Sequence, residues 1–261
     1  MRRAALQAEL ESALAGRVAA PFLYGHHKIT ETASIGIPEL DALAGGLPRG
    51  SLTEVCGPPC SGHMSVLLAA LASRTAQTEA CALVDGHDAF DPRSAEAAGV
   101  KLKNLLWVRC RNVDQSFRAT DLLLKNGGFG MVALDLSDTP PRTARQVPLN
   151  AWFRFRKTVE DTPTILLVLE QEPNAKTCAS LVLQLGIASV HWNSPSTGAG
   201  GPHALATLLD GFEIHVEVLR SRMKPVTEIS GPHGQRGMES AFAAKTIWSC
   251  AGNESAALEP K

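Results

Sequence analysis

The chain is expected to fold as a doubly wound α/β domain, and three features predict it. Short continuous apolar runs recur at 80–85, 104–109, 130–136 and 163–169, as in strands covered by helices on both faces. Helix-period stretches lie between them, near 92–98, 114–125 and 149–160. A Gly/Pro/Ser loop at 57–62 joins a strand-like run to a long apolar helix.

The elements follow in order. Residues 3–18 read as an amphipathic helix with Leu6, Leu10, Leu14 and Val18 on one stripe, and Pro21 and Gly25-His26-His27 end it. Residues 34–50 alternate apolar residues with turn formers and close in Gly45-Gly46-Leu47-Pro48-Arg49-Gly50. Ser51 opens the strand SLTEVCG, the loop follows, and SVLLAALASR is a helix. Then come the strand at 80–85, a helix opened by Pro92, the strand at 104–109, the helix at 114–125 and the strand at 130–136. The helix at 149–160, the strand at 163–169, a helix at 175–185 and a strand at 187–192 continue the alternation. Strands at 204–209, 212–220 and 226–230 are expected next, then a polar, Gly-containing tail. The domain reading is an arm at 1–30, a core at 31–229 and a tail at 230–261.

Composition bounds the class. With 261 residues, 44% hydrophobic and 20% charged, the chain buries enough surface to need no disulfide or metal staple. No apolar run is long enough to span a membrane, and Glu9 and Glu11 interrupt any secretory signal. Six scattered cysteines fit reduced thiols, so a cytoplasmic location is expected. The net charge of −1 excludes coating nucleic acid by bulk charge. That value hides a segregation: residues 101–157 hold 11 basic and 4 acidic residues, net +7. Such a stretch either faces phosphates or an acidic partner, or forms solvated helix faces.

The loop Gly57-Pro58-Pro59-Cys60-Ser61-Gly62-His63-Met64-Ser65 has the frame of a phosphate-binding loop, G-x-x-x-x-G-K-[ST]. Its glycine spacing lets backbone N–H groups converge on phosphate oxygens at a helix N-terminus. Two side chains depart from the motif. His63 replaces the lysine that reaches the β- and γ-phosphates, and Met64 replaces the hydroxyl that binds magnesium. A thioether is a poor ligand for a hard cation, and Ser65 stands one residue late. Nucleotide hydrolysis is therefore not expected, and ATP or ADP binding is expected to be weak at best; the alternative is a purely structural turn.

Other chemistry is weaker. Cys56, Cys60 and His63 lack a fourth ligand for zinc, and no metal is expected. No Gly-x-Ser-x-Gly elbow exists. Trp152, Phe153 and Phe155 interleave with Arg154 and Arg156, a pattern that stacks on single-stranded bases or packs a core; helical spacing favours the core. Asp135, ending the strand at 130–136, is either a poised carboxylate or a loop cap.

From Ile35 to Asp138 the order of motifs resembles the core of the bacterial RecA recombinase family. Leu40-Asp41, then Gly45-Gly46-Leu47-Pro48-Arg49-Gly50, precede the phosphate loop as they do there. Asp85-Gly86-His87-Asp88-Ala89-Phe90-Asp91-Pro92 resembles the segment carrying the catalytic glutamate, with Gly99-Val100 and Asn104-Leu105-Leu106 following. The resemblance implies that Asp135 is the second nucleotide-site carboxylate and that Gln171 is the γ-phosphate sensor. It also implies that Arg220 and Arg222 are the basic pair reaching a neighbour's nucleotide. It extends over roughly residues 33–225.

The departures matter as much. His87 stands where the catalytic glutamate is expected, with Asp88 one place off, so no catalytic residue is expected. The two DNA-binding loops are reduced to 139–147, with Arg142 and Arg145 as candidate DNA contacts, and 172–177. In size and losses the chain is similar to the ImuA-type accessory proteins of bacterial mutagenic translesion synthesis. That likeness implies DNA-damage tolerance through contact with other RecA-fold subunits or an error-prone polymerase accessory protein, with weak single-stranded DNA binding at most. An ATP-dependent recombinase-like enzyme and a non-hydrolysing regulator of recombinase filaments are the alternatives.

Overall fold

The computed structural model describes residues 31–193, 208–223 and 238–245. The expected arm helix at 3–18, His26-His27, the strand at 226–230 and most of the expected tail lie outside these residues.

A two-residue ladder pairs β1 (Thr32–Ala33) with β2 (Leu47–Pro48) around the short helix α1 (Pro38–Ala44). Pro38 sits in its first turn, and Gly45 ends it at φ 74, a left-handed conformation open to glycine. The alternation read at 34–50 thus conceals one helix.

The central sheet has eight strands in the order β10-β9-β8-β3-β7-β6-β4-β5. They are β3 (Ser51–Cys56), β4 (Cys81–Asp85), β5 (Leu105–Arg109), β6 (Met131–Asp135), β7 (Ile165–Glu170), β8 (Leu181–Asn193), β9 (Leu208–Ser221) and β10 (Met238–Lys245). Strands β3 to β8 run parallel, and β9 and β10 extend the sheet antiparallel. Helices α2 (His63–Ala76), α3 (Pro92–Ala97), α4 (Val113–Asn126), α5 (Pro141–Ala144) and α6 (Leu149–Glu160) fill the crossovers.

Both faces are covered, as the continuous apolar runs require. Leu83, Ala133 and Leu167 pack with Val66, Leu67, Ala70 and Leu71 of α2 on one face. Their neighbours Ala82, Val84, Val132, Leu134, Leu166 and Val168 pack with Phe117 of α4 and Trp152, Phe155 and Val159 of α6 on the other. The rings of Phe117, Trp152 and Phe155 form one cluster, with centroids 5.0 Å apart for Phe117–Trp152 and 5.2 Å for Phe117–Phe155. Among the described residues no helix is long and apolar enough to cross a membrane.

Four expectations are corrected. The helix read at 175–185 is a 3-10 turn at Lys176–Cys178 followed by β8. Leu181, Leu183 and Leu185 recur at period 2 toward one core while Val182 meets the other, and pairing with β3 decides between the two readings. The strand read at 187–192 is the far half of that same strand, and 208–221 is continuous through Gly211. Within the expected tail, Met238–Lys245 form an edge strand that buries Phe242. Its run of alanines has little strand propensity and hides it from pattern reading.

Candidate functional site

The strand order brings the ends of β3, β7, β6 and β4 side by side, so the loops 57–62, 171–175, 136–140 and 86–91 share one rim. In open α/β sheets that rim holds the ligand crevice.

The loop after β3 is wound tightly and packed by its own chain. The Gly57 N–H donates to the Glu170 carbonyl across 3.2 Å, and a Cβ there would lie 2.4 Å from Ser61 Oγ. Pro58, Pro59 and Cys60 are exposed, Cys60 at φ 63, whereas Ser61 is fully buried. Gly62 turns at φ 102, and a Cβ there would stand 2.3 Å from Ile214 Cδ1 of β9. Helix α2 then begins at His63, which is 6% exposed.

His63 points inward. Its Nε2 lies 2.9 Å from the Glu170 carbonyl oxygen, and a carbonyl only accepts, so Nε2 carries the proton. Nδ1 is left as an acceptor, 3.5 Å from Ser61 Oγ. Burial, first of all, holds the imidazole pKa below its ordinary value and favours the neutral ring. Met64 packs partly buried against the α2-side core, and Ser65 is half-buried.

The carboxylates of the rim serve its loops. Asp135 is nearly buried; its Oδ1 accepts from Ser137 N–H at 3.0 Å and Ser137 Oγ at 2.7 Å. Burial raises its pKa above the ordinary value, and Asp85 and Asp138 add to the rise. Asp85 stands in register with Asp135 and accepts from the N–H groups of His87, Ala89 and Phe90 and from Trp107 Nε1. His87 is exposed, with Nε2 2.7 Å from Thr139 Oγ1. Asp88, at φ 59, is held by both guanidinium arms of Arg109, which also lies over the Trp107 ring. Gln171 Nε2 donates to the Ser137 carbonyl at 3.0 Å and links the loops after β7 and β6.

The segments 139–147 and 172–177 touch. Arg145 grips Glu172 through Nε and Nη2, each at 2.8 Å, while Arg142 is exposed on α5. A groove of about 670 Å³ runs between the loops, lined by Arg145, Val147, Leu149, Glu172, Asn174 and Lys176. Arg220 donates to the Lys176 carbonyl and Arg222 to the Thr177 carbonyl, so both guanidiniums cap the 3-10 turn of their own chain. Trp152 and Phe155 belong to the core and only Phe153, 46% exposed, faces out.

Sequence reasoning passed over two residues. Glu54 in β3 and Glu170 in β7 are both fully buried. Glu54 Oε1 accepts the Ala175 N–H at 2.6 Å, and Glu170 Oε2 accepts from Asn174 Nδ2 at 2.5 Å. Glu54 Oε2 and Glu170 Oε1 have no partner. Burial first pushes the Glu54 carboxyl up to about 7 and Glu170 up to about 8; the Glu54 charge adds to the rise at Glu170, and both raise the Cys56 thiol. The available signal was a carboxylate inside an otherwise apolar run, SLTEVC and ILLVLE.

A magnesium nucleotide does not fit the side chains present. The residue at 63 is a neutral ring turned inward, 64 is a thioether, and the 87–88 pair offers a histidine and an ion-paired aspartate. Among the described residues no group of three or more His, Cys, Asp or Glu is placed to hold a metal ion.

Residues 23–143 match the family model of the RecA N-terminal domain. Similar curated proteins include "Protein RecA" of Psychrobacter cryohalolentis and "Protein RecA" of Psychrobacter arcticus. Each is 34% identical over 107 residues, 41% of this chain and 30% of the relative. The similarity thus spans under a third of those relatives' length, and it supports a relationship to the RecA superfamily.

Proposed function

We propose that this RecA-related chain is an accessory or adaptor protein in DNA damage tolerance, serving error-prone translesion synthesis through protein contacts rather than nucleotide turnover. The observation that supports this best is the bond from His63 to the Glu170 carbonyl. The position that a phosphate loop gives to a mobile cation is here a neutral internal strut, worth on the order of 0.5–1.5 kcal/mol to the fold. Met64 and His87 remove the metal ligand and the water-polarising carboxylate as well, so three parts of one reaction are missing. Residues 1–30 serve as a docking arm for another RecA-fold subunit or a polymerase accessory protein.

Two measurements test this. Magnesium-ATP turnover with single-stranded DNA should not exceed that of Asp135→Ala; a clear Asp135-dependent rate overturns the reading. Deleting residues 1–20 should abolish association with such a partner while the thermal midpoint holds. Association surviving the deletion would move the docking surface elsewhere.

A second reading, a protein that binds single-stranded DNA directly, draws on one observation. The two shortened loops sit side by side with Arg142 exposed, at one end of a stretch carrying net +7 over 101–157. Nanomolar binding at physiological salt would favour it.

A further inference from the structure

We propose that Glu54 and Glu170 form a proton-binding site that seats the 172–177 segment, holding it down while one proton is bound and letting it lift when both carboxyls ionise. This does not depend on which partner the protein serves.

The two side chains share a sheet face. Glu54 lies between Leu52 and Cys56, and Glu170 follows Leu166 and Val168, all four of which pack on the α6-side core. The register pairs Glu54 with Val168 and Cys56 with Glu170, so the two glutamates are one diagonal step apart on adjacent strands. Diagonal neighbours on adjacent strands lie roughly 7–8 Å apart, still within reach of two long side chains.

Glu54 takes its donors from the backbone of Ala175 and Asn174, Glu170 takes Asn174 Nδ2, and Glu54 Oε2 and Glu170 Oε1 are left unpartnered. An ionised carboxylate offers about four acceptor positions, so these donors from one segment are too few for two buried anions. Among the described residues no cation is bonded to either carboxyl. Arg220 of β9 favours ionised Glu54 at long range but is bonded to the Lys176 carbonyl, Arg222 is bonded to the Thr177 carbonyl, and Arg156 of α6 acts on Cys178. From α2, His63 is neutral and bonded to the Glu170 backbone. From β3 and the 3-10 turn come only the thiols of Cys56 and Cys178, which sense the same charges.

A proton on one orphan oxygen turns that carboxyl into a donor and leaves the pair with a single charge. The donors from 174–175 then serve one carboxylate and one carboxylic acid. Removing the proton places two charges on fully buried groups, and bulk water reaches them only if the segment bonded to them rises. Glu172, Asn174 and Lys176 move with it, so the Arg145–Glu172 clasp and the groove between the shortened loops respond to the same proton.

Hydrogen exchange of the full chain tests this, read on the peptide spanning 172–177 from about pH 6 to about pH 9 and corrected for intrinsic exchange. The wild type should lose roughly tenfold in protection per pH unit once the last proton leaves, and Glu170→Gln should flatten that loss. Glu172→Gln, which breaks only the clasp, should keep it. Should Glu170→Gln fail to fold, infrared titration in an Asp135→Asn background still decides. A protonated-carboxyl band should persist at neutral pH and vanish on the alkaline side in step with exchange. Corrected protection that stays flat in the wild type, or absence of that band near pH 6, overturns the proposal.

Discussion

His63 Nε2 donates to the backbone carbonyl of Glu170 across 2.9 Å, joining the first residue of α2 to the last residue of β7. The same carbonyl accepts the Gly57 N–H, so both ends of the phosphate-type loop hang from one oxygen. The loop keeps its shape through this acceptor rather than through a bound anion.

Restoring the motif should separate binding from chemistry. His63→Lys with Met64→Thr removes the strut and lowers stability by about 1 kcal/mol, while gaining affinity for fluorescent ATP analogues. Turnover should stay at background, because His87 still supplies no carboxylate to polarise water. Brisk hydrolysis by the double variant would reassign His87.

His63 and the buried glutamate pair should push stability in opposite directions as pH changes, and the pair, with two raised groups against one lowered, should prevail. His63 has a folded pKa below its unfolded value, so below about pH 6.5 the unfolded chain takes up more protons and stability drops with pH. Glu54 and Glu170 are raised to about 7 and about 8, so the folded state holds extra protons above about pH 4.5 and loses stability as pH climbs through those values. Urea midpoints should fall as pH rises from about 4.5 to about 8, with Glu54→Gln flattening the fall and His63→Asn steepening it below about pH 6.5. A midpoint that rises with pH across this range would overturn the assignment to Glu54 and Glu170.

Any weak DNA binding should depend on Arg142 more than on Arg145, since Glu172 already occupies Arg145. In filter-binding titrations Arg142→Ala should lower the salt slope by about 1 and Arg145→Ala by less. Glu172→Gln, freeing Arg145, should raise it. Equal slopes in all three variants would show that these loops do not meet phosphate.

Gly62 and Ile214 should couple. Gly62→Ala meets both a left-handed backbone and a methyl group 2.3 Å away, and should cost about 1–3 kcal/mol. Ile214→Val should return part of that loss in a double-mutant cycle. Additive losses would mean that backbone strain alone is responsible.

Much of the sheet was readable because strands buried on both faces leave unbroken apolar runs, as at β4, β6 and β7, whereas β5, at the sheet edge, is half-buried to exposed along its length. The period test failed where leucines satisfy two periods at once, as in β8, and where alanines satisfy none, as in β10. That Gly57, Gly62, Asp135 and Gln171 follow strand ends was equally plain, and the strand order brings those ends to one rim. What His63 does was not, because its partner is a backbone oxygen 107 positions away that only folding brings near. Glu54 and Glu170 were invisible for a related reason. A carboxylate inside an apolar run gains meaning only when a second one arrives on the neighbouring strand.

The position of β10 bears on how the protein can be cut. Met238–Lys245 shields the main chain of a strand running Leu208–Ser221, nearly twice its own length. Proteolytic nicking that released it would turn β9 into an open border, with a ladder of amides ready to template another chain. Truncated forms ending before 238 should therefore exchange strands or precipitate rather than simply melt earlier. The end of the chain that is poorest in apolar residues would then guard the protein against self-assembly.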